Sequence, residues 1–300
     1  MSAMATDLVQ LGIGYGVLFG VSGGAAYIIV QQAINQLTWT RPGLVNGYCV
    51  SLYPLGAMIA APLFGWAVVR WDVRVTLAGL AATLLISGLL TVLLCWGAGL
   101  RLTGTVAATG GRSTRGRALV FWQMFTIFFL AAAAGLMVLS QAAAMVRAYG
   151  GANAFAVGAT TAITGAIAVA RLAGGWLVDR LAIPTVMAAA QAFAMVGTII
   201  VTLWPGAEVA AVSLCMIGMG YGFISGAVAA AIAAYWQQGD FGRIASRLYI
   251  AWCIAAVSLP VLAGRLFDLT GGYATAIVIA GAGNLIAVLV ALTLPRRVEA

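Results

Sequence analysis

Arg171 is the residue with the clearest capacity for chemistry, because it stands inside a long apolar stretch, eight residues before the pair Asp179 and Arg180. If the stretch is helical, Arg171 lies about 12 Å from its end. An arginine deep in an apolar medium costs about 2.5 to 3.5 kcal/mol, so we expect it to face other protein segments and to bind an anion or a carbonyl oxygen. Its five N–H donors match a carboxylate. The alternative is an arginine that extends toward the surface, or caps carbonyl groups, and orients the neighbouring pair.

The pair Asp179 and Arg180 ends an apolar stretch and is predicted to lie at a helix end. There the two side chains can pair with each other, or with a neighbouring helix and its terminus. Such a contact can form in one conformation and break in another, so the pair is a candidate gate; the alternative is a marker of topology with no moving role. Pro54 and Pro260 break helical hydrogen bonding and are candidate hinges or static kinks.

Residue types that the sequence lacks exclude several kinds of chemistry. The chain has no histidine, so catalysis, metal binding and haem ligation that depend on imidazole are excluded. No phosphate-binding loop in a soluble context is present, which argues against an ATPase module. We therefore expect no catalytic residue, no metal site and no cofactor, and the chain is not predicted to be an enzyme. The four cysteines stand in apolar stretches without paired spacing and are interpreted as small buried hydrophobes: Cys49, Cys95, Cys215 and Cys253.

The elements that must position these residues are set by composition. Of 300 residues, 63% are hydrophobic and only 7% are charged, whereas a soluble fold needs roughly a quarter of its residues charged. Mean hydropathy is +1.06, and apolar stretches of membrane-spanning length recur to the C-terminus. The net charge of +8 comes from arginines that mostly stand between these stretches, so we expect it to orient the chain in a lipid bilayer rather than to bind nucleic acid. The sequence predicts an integral membrane protein.

Nine transmembrane helices are predicted, which gives an all-α membrane bundle. Small residues crowd their interiors and favour close helix packing. The N-terminus does not have the pattern of a cleaved signal peptide, so the first helix is expected to stay. The helices are predicted at about 9–33, 43–69, 74–97, 118–147, 153–178, 184–204, 208–235, 245–266 and 273–294.

The long polar gap divides three helices from six. We predict a truncated N-terminal bundle at 1–97, a linker at 98–117 and a C-terminal six-helix bundle at 118–300. Arginines concentrate in the loops of one side, which includes the linker and the C-terminus, so this side is predicted to be cytoplasmic. We expect the membrane to be the bacterial inner (plasma) membrane.

An internal repeat relates the two ends of the chain. The segment from Gly12 to Gly20 matches the segment from Gly218 to Gly226 at an offset of 206 residues. The same offset carries Pro54 onto Pro260. The second copy is preceded by three helices, at about 118–204, that have no partner in the first. A parallel repeat of six helices per half is a known transporter plan, so we expect the architecture to lack the first three of twelve helices.

With these features the sequence resembles the major facilitator superfamily, and within it the branch of oxalate/formate antiporters and monocarboxylate carriers. The segment Gly175-Trp-Leu-Val-Asp179-Arg180 is similar to the G-x-x-x-D-R loop signature of the superfamily, and Gly14-Tyr15-Gly16 with its repeat adds to the resemblance. The closing glycine of the signature is absent. The resemblance covers nearly the whole chain, and it implies that the nine helices correspond to the fourth to twelfth of the family.

The resemblance also implies a binding site. Arg171 matches an arginine that binds substrate carboxylate in this branch, and Trp252 stands where the branch has a second cation, a lysine. One fixed positive charge favours a monocarboxylate over a dicarboxylate such as oxalate. Aromatic side chains suit the wall of such a cavity, although each can equally be a core or interfacial residue. The aromatic candidates are Tyr15, Tyr53, Tyr221, Tyr249 and Trp252.

Two functions remain open from the sequence. The first is a secondary transporter of small organic anions that works by alternating access. The second is a transport-inactive, carrier-derived membrane subunit that structures or assembles another membrane complex. Because a site walled by both halves is open where helices are missing, we expect a partner membrane protein or a homodimer to fill the gap unless the native protein begins upstream.

Overall fold

The computed structural model describes residues 2–37, 39–99, 114–236 and 238–296, and these residues form helices and no strands. Nine helical stretches within them are long and apolar enough to cross a membrane, so the predicted all-α membrane bundle is confirmed. Residues 100–113 of the predicted linker lie outside the described residues, and the division at 1–97, 98–117 and 118–300 stays a prediction. The helices are α1 (Leu8–Gln36), α2 (Pro42–Trp71), α3 (Val73–Gly97), α4 (Thr114–Ala148), α5 (Asn153–Val178), α6 (Ile183–Leu203), α7 (Ala207–Tyr235), α8 (Phe241–Val257), α9 (Leu259–Thr270) and α10 (Ala274–Leu292).

The helix ends follow local sequence signals. Helix α2 begins at Pro42, a position where the missing N–H costs nothing because no intrahelical acceptor exists for it. Helix α9 ends at Thr270 and is capped by Gly271, whose φ of 71° is left-handed. Helices α2 and α3 meet at Asp72 with a φ of 81°, a backbone conformation that non-glycine residues rarely adopt.

The buried core lies among helices α4 to α10. Helix α7 runs through its centre and buries most of its residues, and α4 also buries more than half of its apolar stretch. Helices α1 to α3 are apolar but mostly exposed. In a bilayer such apolar exposure faces lipid, so these three helices depend less on packing within the chain than the other seven.

Glycines bring helix α5 close to its two neighbours. On one side Gly175 packs against Gly43 and Gly47 of α2, and on the other Gly174 and Gly226 lie where α5 meets α7. A Cβ atom on Gly175 would stand 2.7 Å from the Cα of Gly47. Lipid gives no hydrophobic drive for helix association, so this close backbone approach supplies the packing energy.

The span predicted as one helix at 245–266 is divided in the structure. Helix α8 ends before Ser258, whose φ of −88° and ψ of −89° leave the helical region, and α9 begins at Leu259. Pro260 follows at the second position of α9, where a proline is tolerated. The side-chain nitrogen of Gln141 on α4 donates to the carbonyl oxygen of Pro260 at 2.6 Å, which fixes the break against the bundle.

The two copies of the predicted repeat differ in register. The starts of α1 and α7 and those of α2 and α8 have an offset of 199 residues, not 206. The segment Gly12–Phe19 is π-helical, whereas its match in α7 is regular α-helix. Pro54 therefore lies in the first half of its span and Pro260 in the second half of Phe241–Thr270. The duplication stays a prediction, and the two prolines do not occupy equivalent depths.

The close contact of α5 with α2 predicts an effect of side-chain volume. Replacing Gly175→Ala should lower stability by about 1 to 3 kcal/mol, because the added methyl group meets backbone that cannot move aside. Thermal unfolding of the purified protein in detergent measures the effect. The control is Gly158→Ala on the same helix, where no atom lies within 4 Å of the new Cβ. A Gly175→Ala protein that unfolds at or above the wild-type temperature would contradict this packing.

Candidate functional site

Arg171 lies at the contact between α5, α2 and α7. Its side chain is only 5% exposed. One terminal nitrogen, Nη1, donates to the carbonyl oxygen of Val50 on α2 at 3.1 Å, and the other, Nη2, donates to the hydroxyl of Tyr221 on α7 at 3.0 Å. The guanidinium carbon lies 5.2 Å from the ring centre of Tyr221 and 5.9 Å from that of Tyr53. Arg171 therefore faces the protein interior and bridges three helices.

Two glycines make this position possible. A Cβ atom on Gly47 of α2 would stand 2.8 Å from the carbonyl oxygen of Arg171, and one on Gly226 of α7 would also meet the Arg171 backbone. The backbones of α2 and α7 thus approach Arg171 from both sides. Two surface concavities, one along Ser2–Leu11 with Asp72–Leu77 and one between α5 and α7 around Phe155 and Glu208, do not include it.

The charge of Arg171 has no acidic partner in the part of the chain that the structure describes. There, the ion pair is Arg243 with Asp240, on the surface and 2.9 Å apart. The Nε atom of Arg171 is buried and makes no hydrogen bond within the described residues. A buried cation without an anion is costly by several kcal/mol. This arrangement is therefore suited to an anion.

Tyr221 extends the polar contacts of Arg171 to α8. Its hydroxyl oxygen also accepts a hydrogen bond from Nε1 of Trp252 at 2.8 Å. Arginine and tryptophan nitrogens only donate, so both bonds use the oxygen of Tyr221 as acceptor. The hydroxyl proton of Tyr221 then remains available for a further acceptor. Trp252 has one N–H, which Tyr221 already accepts, so the donors left for a bound ligand are the remaining N–H groups of Arg171 and the hydroxyl of Tyr221. These donors again favour an anion.

Tyr249 lies one turn from Trp252 and connects α8 to α1. Its hydroxyl lies 3.1 Å from that of Tyr27, and Nε2 of Gln31 donates to it at 3.4 Å. The sequence interpretation missed Tyr27 and Gln31 as site residues. Their spacing of four residues puts them on one face of a helix, and Gln31, 2% exposed in the structure, is an amide in an apolar span, which is a signal that the sequence did contain.

The remaining aromatic candidates take different places. Tyr53 lies beside Arg171 with 65% of its surface exposed, so it borders the site rather than filling the core. Tyr15 is exposed on α1 and stacks on Phe19 at 5.3 Å between ring centres. The rings recorded over the guanidinium of Arg171 are those of Tyr53 and Tyr221, whereas Tyr15 is 53% exposed in the π-helical stretch. This placement gives no support to a substrate contact for Tyr15.

Asp179 joins α5 to the N-terminus of α2. Its two carboxylate oxygens accept the backbone N–H groups of Gly43 and Leu44, each at 2.8 Å. Free N–H groups and the helix dipole make such a terminus a site for an anionic group. The sequence left open whether Asp179 pairs with Arg180 or with a neighbouring helix terminus, and in the structure it binds the terminus of α2. Arg180 does not pair with it, because its guanidinium lies exposed over the ring of Trp176 at 3.9 Å.

The two candidate hinges are placed apart from each other. Pro54 is buried inside α2, four residues after Val50. Pro260 stands at the start of α9, with its carbonyl bound by Gln141.

Among the described residues, no group of three histidine, cysteine, aspartate or glutamate side chains is arranged to hold a metal ion.

Known proteins resemble the chain in sequence and in fold. It is 26% identical, over an alignment of 310 residues, to "Monocarboxylate transporter 13" from Bos taurus, which covers 98% of this chain and 70% of that protein. The structure is similar to FucP, a major facilitator superfamily transporter in the outward conformation, with a TM-score of 0.64, 15% identity, 91% of this chain covered and 72% of that chain.

A second solved structure gives the same fold. A variant of the E. coli fucose:proton symporter FucP matches with a TM-score of 0.67 and 16% identity over 91% of this chain and 73% of that chain. No protein-family model matches the sequence. The chain therefore has the fold of the major facilitator superfamily, as the helix order and the segment Gly175–Arg180 predicted.

Proposed function

We propose that the protein is a secondary transporter of small organic anions, monocarboxylates in particular, and that Arg171 binds the substrate carboxylate. The observation that carries the proposal is the buried guanidinium of Arg171, which bridges three helices without an acidic partner among the described residues. A carboxylate supplies the missing negative charge and matches the planar fork of donors. The similarity to a protein named as a monocarboxylate transporter supports the same ligand class.

The charge balance of the site favours a monoanion. Arg171 supplies one positive charge, and Tyr221, whose oxygen is bound by Trp252, adds a neutral donor beside it. A dianion would leave one negative charge uncompensated in an apolar site, which costs free energy. The relative and the solved structures bear the names of carriers, so the transport-inactive subunit is not favoured.

Alternating access requires contacts that close one end of the site and can open. The bonds from Asp179 to the start of α2 fit this role, because they join the predicted N-terminal bundle to the C-terminal one. We place this end, and the C-terminus, on the cytoplasmic side, in accord with the distribution of arginines in the loops.

Removing the positive charge of Arg171 tests the binding proposal. We expect Arg171→Ala to lower uptake of radiolabelled propionate into proteoliposomes by about 100-fold, which corresponds to about 3 kcal/mol of lost ion-pair and hydrogen-bond energy. Arg147→Ala is the matched control, because Arg147 is exposed and, among the described residues, its side chain donates to Asn153 at 3.0 Å and not to the site. Unchanged propionate uptake by folded Arg171→Ala protein would remove Arg171 from the site.

The unpaired charge of Arg171 also predicts exchange rather than net uptake. Without substrate, movement between conformations must carry an uncompensated cation through an apolar region, at a cost of about 2.5 to 3.5 kcal/mol. Propionate uptake into vesicles that contain unlabelled propionate should therefore be at least about 10-fold faster than into vesicles without it. Equal initial rates in the two vesicle populations would show that the empty carrier moves freely.

The gate predicts an effect of Asp179 on both stability and exchange. Asp179→Ala removes two charge-assisted hydrogen bonds to a helix N-terminus, so we expect a loss of about 1 to 2 kcal/mol in stability and a several-fold lower exchange rate. Asp7→Ala is the control, because Asp7 accepts a backbone N–H within its own helix at 2.7 Å. A purely topological role for Asp179 would leave the exchange rate at the wild-type value.

A further inference from the structure

The partner of Arg171 on α2 is a backbone carbonyl, that of Val50, at 3.1 Å. In an α-helix this carbonyl would accept the N–H of the residue four positions later. That residue is Pro54, which has no N–H. Pro54 therefore leaves the Val50 carbonyl available at the point where Arg171 reaches α2.

Both groups need this contact. Val50 is 1% exposed and Arg171 is 5% exposed, and Pro54 is buried beside them. A carbonyl without a hydrogen bond in an apolar interior costs free energy, and so does a guanidinium without an acceptor. Gly47 holds the two backbones close enough for the bond to form.

We infer that Pro54 is a positioning residue that acts on Arg171 through the Val50 carbonyl, and that this carbonyl takes the place of the substrate carboxylate when the site is empty. The second step rests on the proposed function, and the first does not. With 5% of its surface exposed, Arg171 receives a carboxylate only as the bond to Val50 opens. Substrate binding thereby releases a contact between α2 and α5.

This role differs from that of a hinge. A hinge works because the proline weakens its own helix. It does not depend on whether Arg171 donates to the carbonyl oxygen of Val50. Pro62 provides the comparison, because it stands inside the same helix and is exposed. A general effect of helix prolines would appear at both positions, whereas an effect through Arg171 appears only at Pro54.

A double-mutant cycle of thermal unfolding tests the positioning role without any substrate. In the Pro54→Ala variant, the new backbone N–H satisfies the Val50 carbonyl, so Arg171→Ala no longer leaves that carbonyl without a partner. We expect the change in Tm caused by Arg171→Ala to be more favourable by about 2 °C or more in the Pro54→Ala background than with Pro54. Additive changes in Tm would overturn the inference.

Two further arms complete the cycle. Pro62→Ala should combine additively with Arg171→Ala, and coupling equal to that of Pro54→Ala would overturn the specific role of Pro54. If Arg171→Ala does not fold in either background, the same cycle with Arg171→Gln decides between coupling and additivity.

Propionate then tests whether a substrate carboxylate replaces the Val50 carbonyl as the acceptor for Arg171. Pro54→Ala removes the competing acceptor, so the propionate concentration at half-maximal exchange should fall about 3- to 10-fold, with no change for Pro62→Ala. An unchanged value for Pro54→Ala would overturn the competition. If the wild-type protein does not transport propionate, the proposed function fails on that observation, while the cycle of unfolding temperatures still decides the role of Pro54.

Discussion

The cost of placing the charge of Arg171 inside an apolar bundle is the constraint on which the rest of the site depends. The energy of a cation in such a medium is tolerable only when several acceptors or aromatic faces surround it. Val50 and Tyr221 supply the acceptors, and the rings of Tyr53 and Tyr221 supply the faces. All of them come from helices other than α5. The position of Arg171 therefore requires the packing of α5 against both α2 and α7.

That packing depends on glycines, which let the helix backbones approach closely. Polar groups on the two helices are then near enough to form hydrogen bonds. Gly43 and Gly47 bring α2 against α5, and at the same end Asp179 reaches the first N–H groups of α2. A similar arrangement joins α1 to α2, where the amides of Asn35 and Asn46 bond to each other at 2.8 and 2.9 Å. The interface of α2 with α5 is held by few, directional bonds between smooth helix surfaces, so it can separate and close again without repacking large side chains, as the proposed alternating access requires.

The sequence was sufficient for the helices and for the position of Arg171, because apolar length and the cost of a buried charge act locally. All nine spans are present among the described residues, with ends within a few residues of those predicted. Pro260 indicated a candidate kink, but the position of the break at Ser258 depends on contacts with other helices, such as the bond from Gln141 to the Pro260 carbonyl. The π-helical stretch at Gly12–Phe19, whose residues are mostly exposed, was not predicted either. The acceptor at Val50 was missed for another reason: a carbonyl is common to every residue, and only its relation to Pro54 and to a distant arginine makes it distinct.

Which atoms donate and which accept hydrogen bonds restricts the ligands of this site more strongly than the identity of its residues does. Arginine and tryptophan nitrogens donate and never accept, and the oxygen of Tyr221 already accepts from both Arg171 and Trp252. The one N–H of Trp252 is therefore in use, and a ligand that approaches Arg171 and Tyr221 meets N–H and O–H groups, so it must bring acceptor atoms. A cation or an amine finds no partner there and would add to the charge of Arg171. Neutral acceptors satisfy the bonds but not the charge. A single carboxylate satisfies both, which is why the proposed function assigns to one arginine and a tyrosine hydroxyl held by Trp252 an anion of one charge.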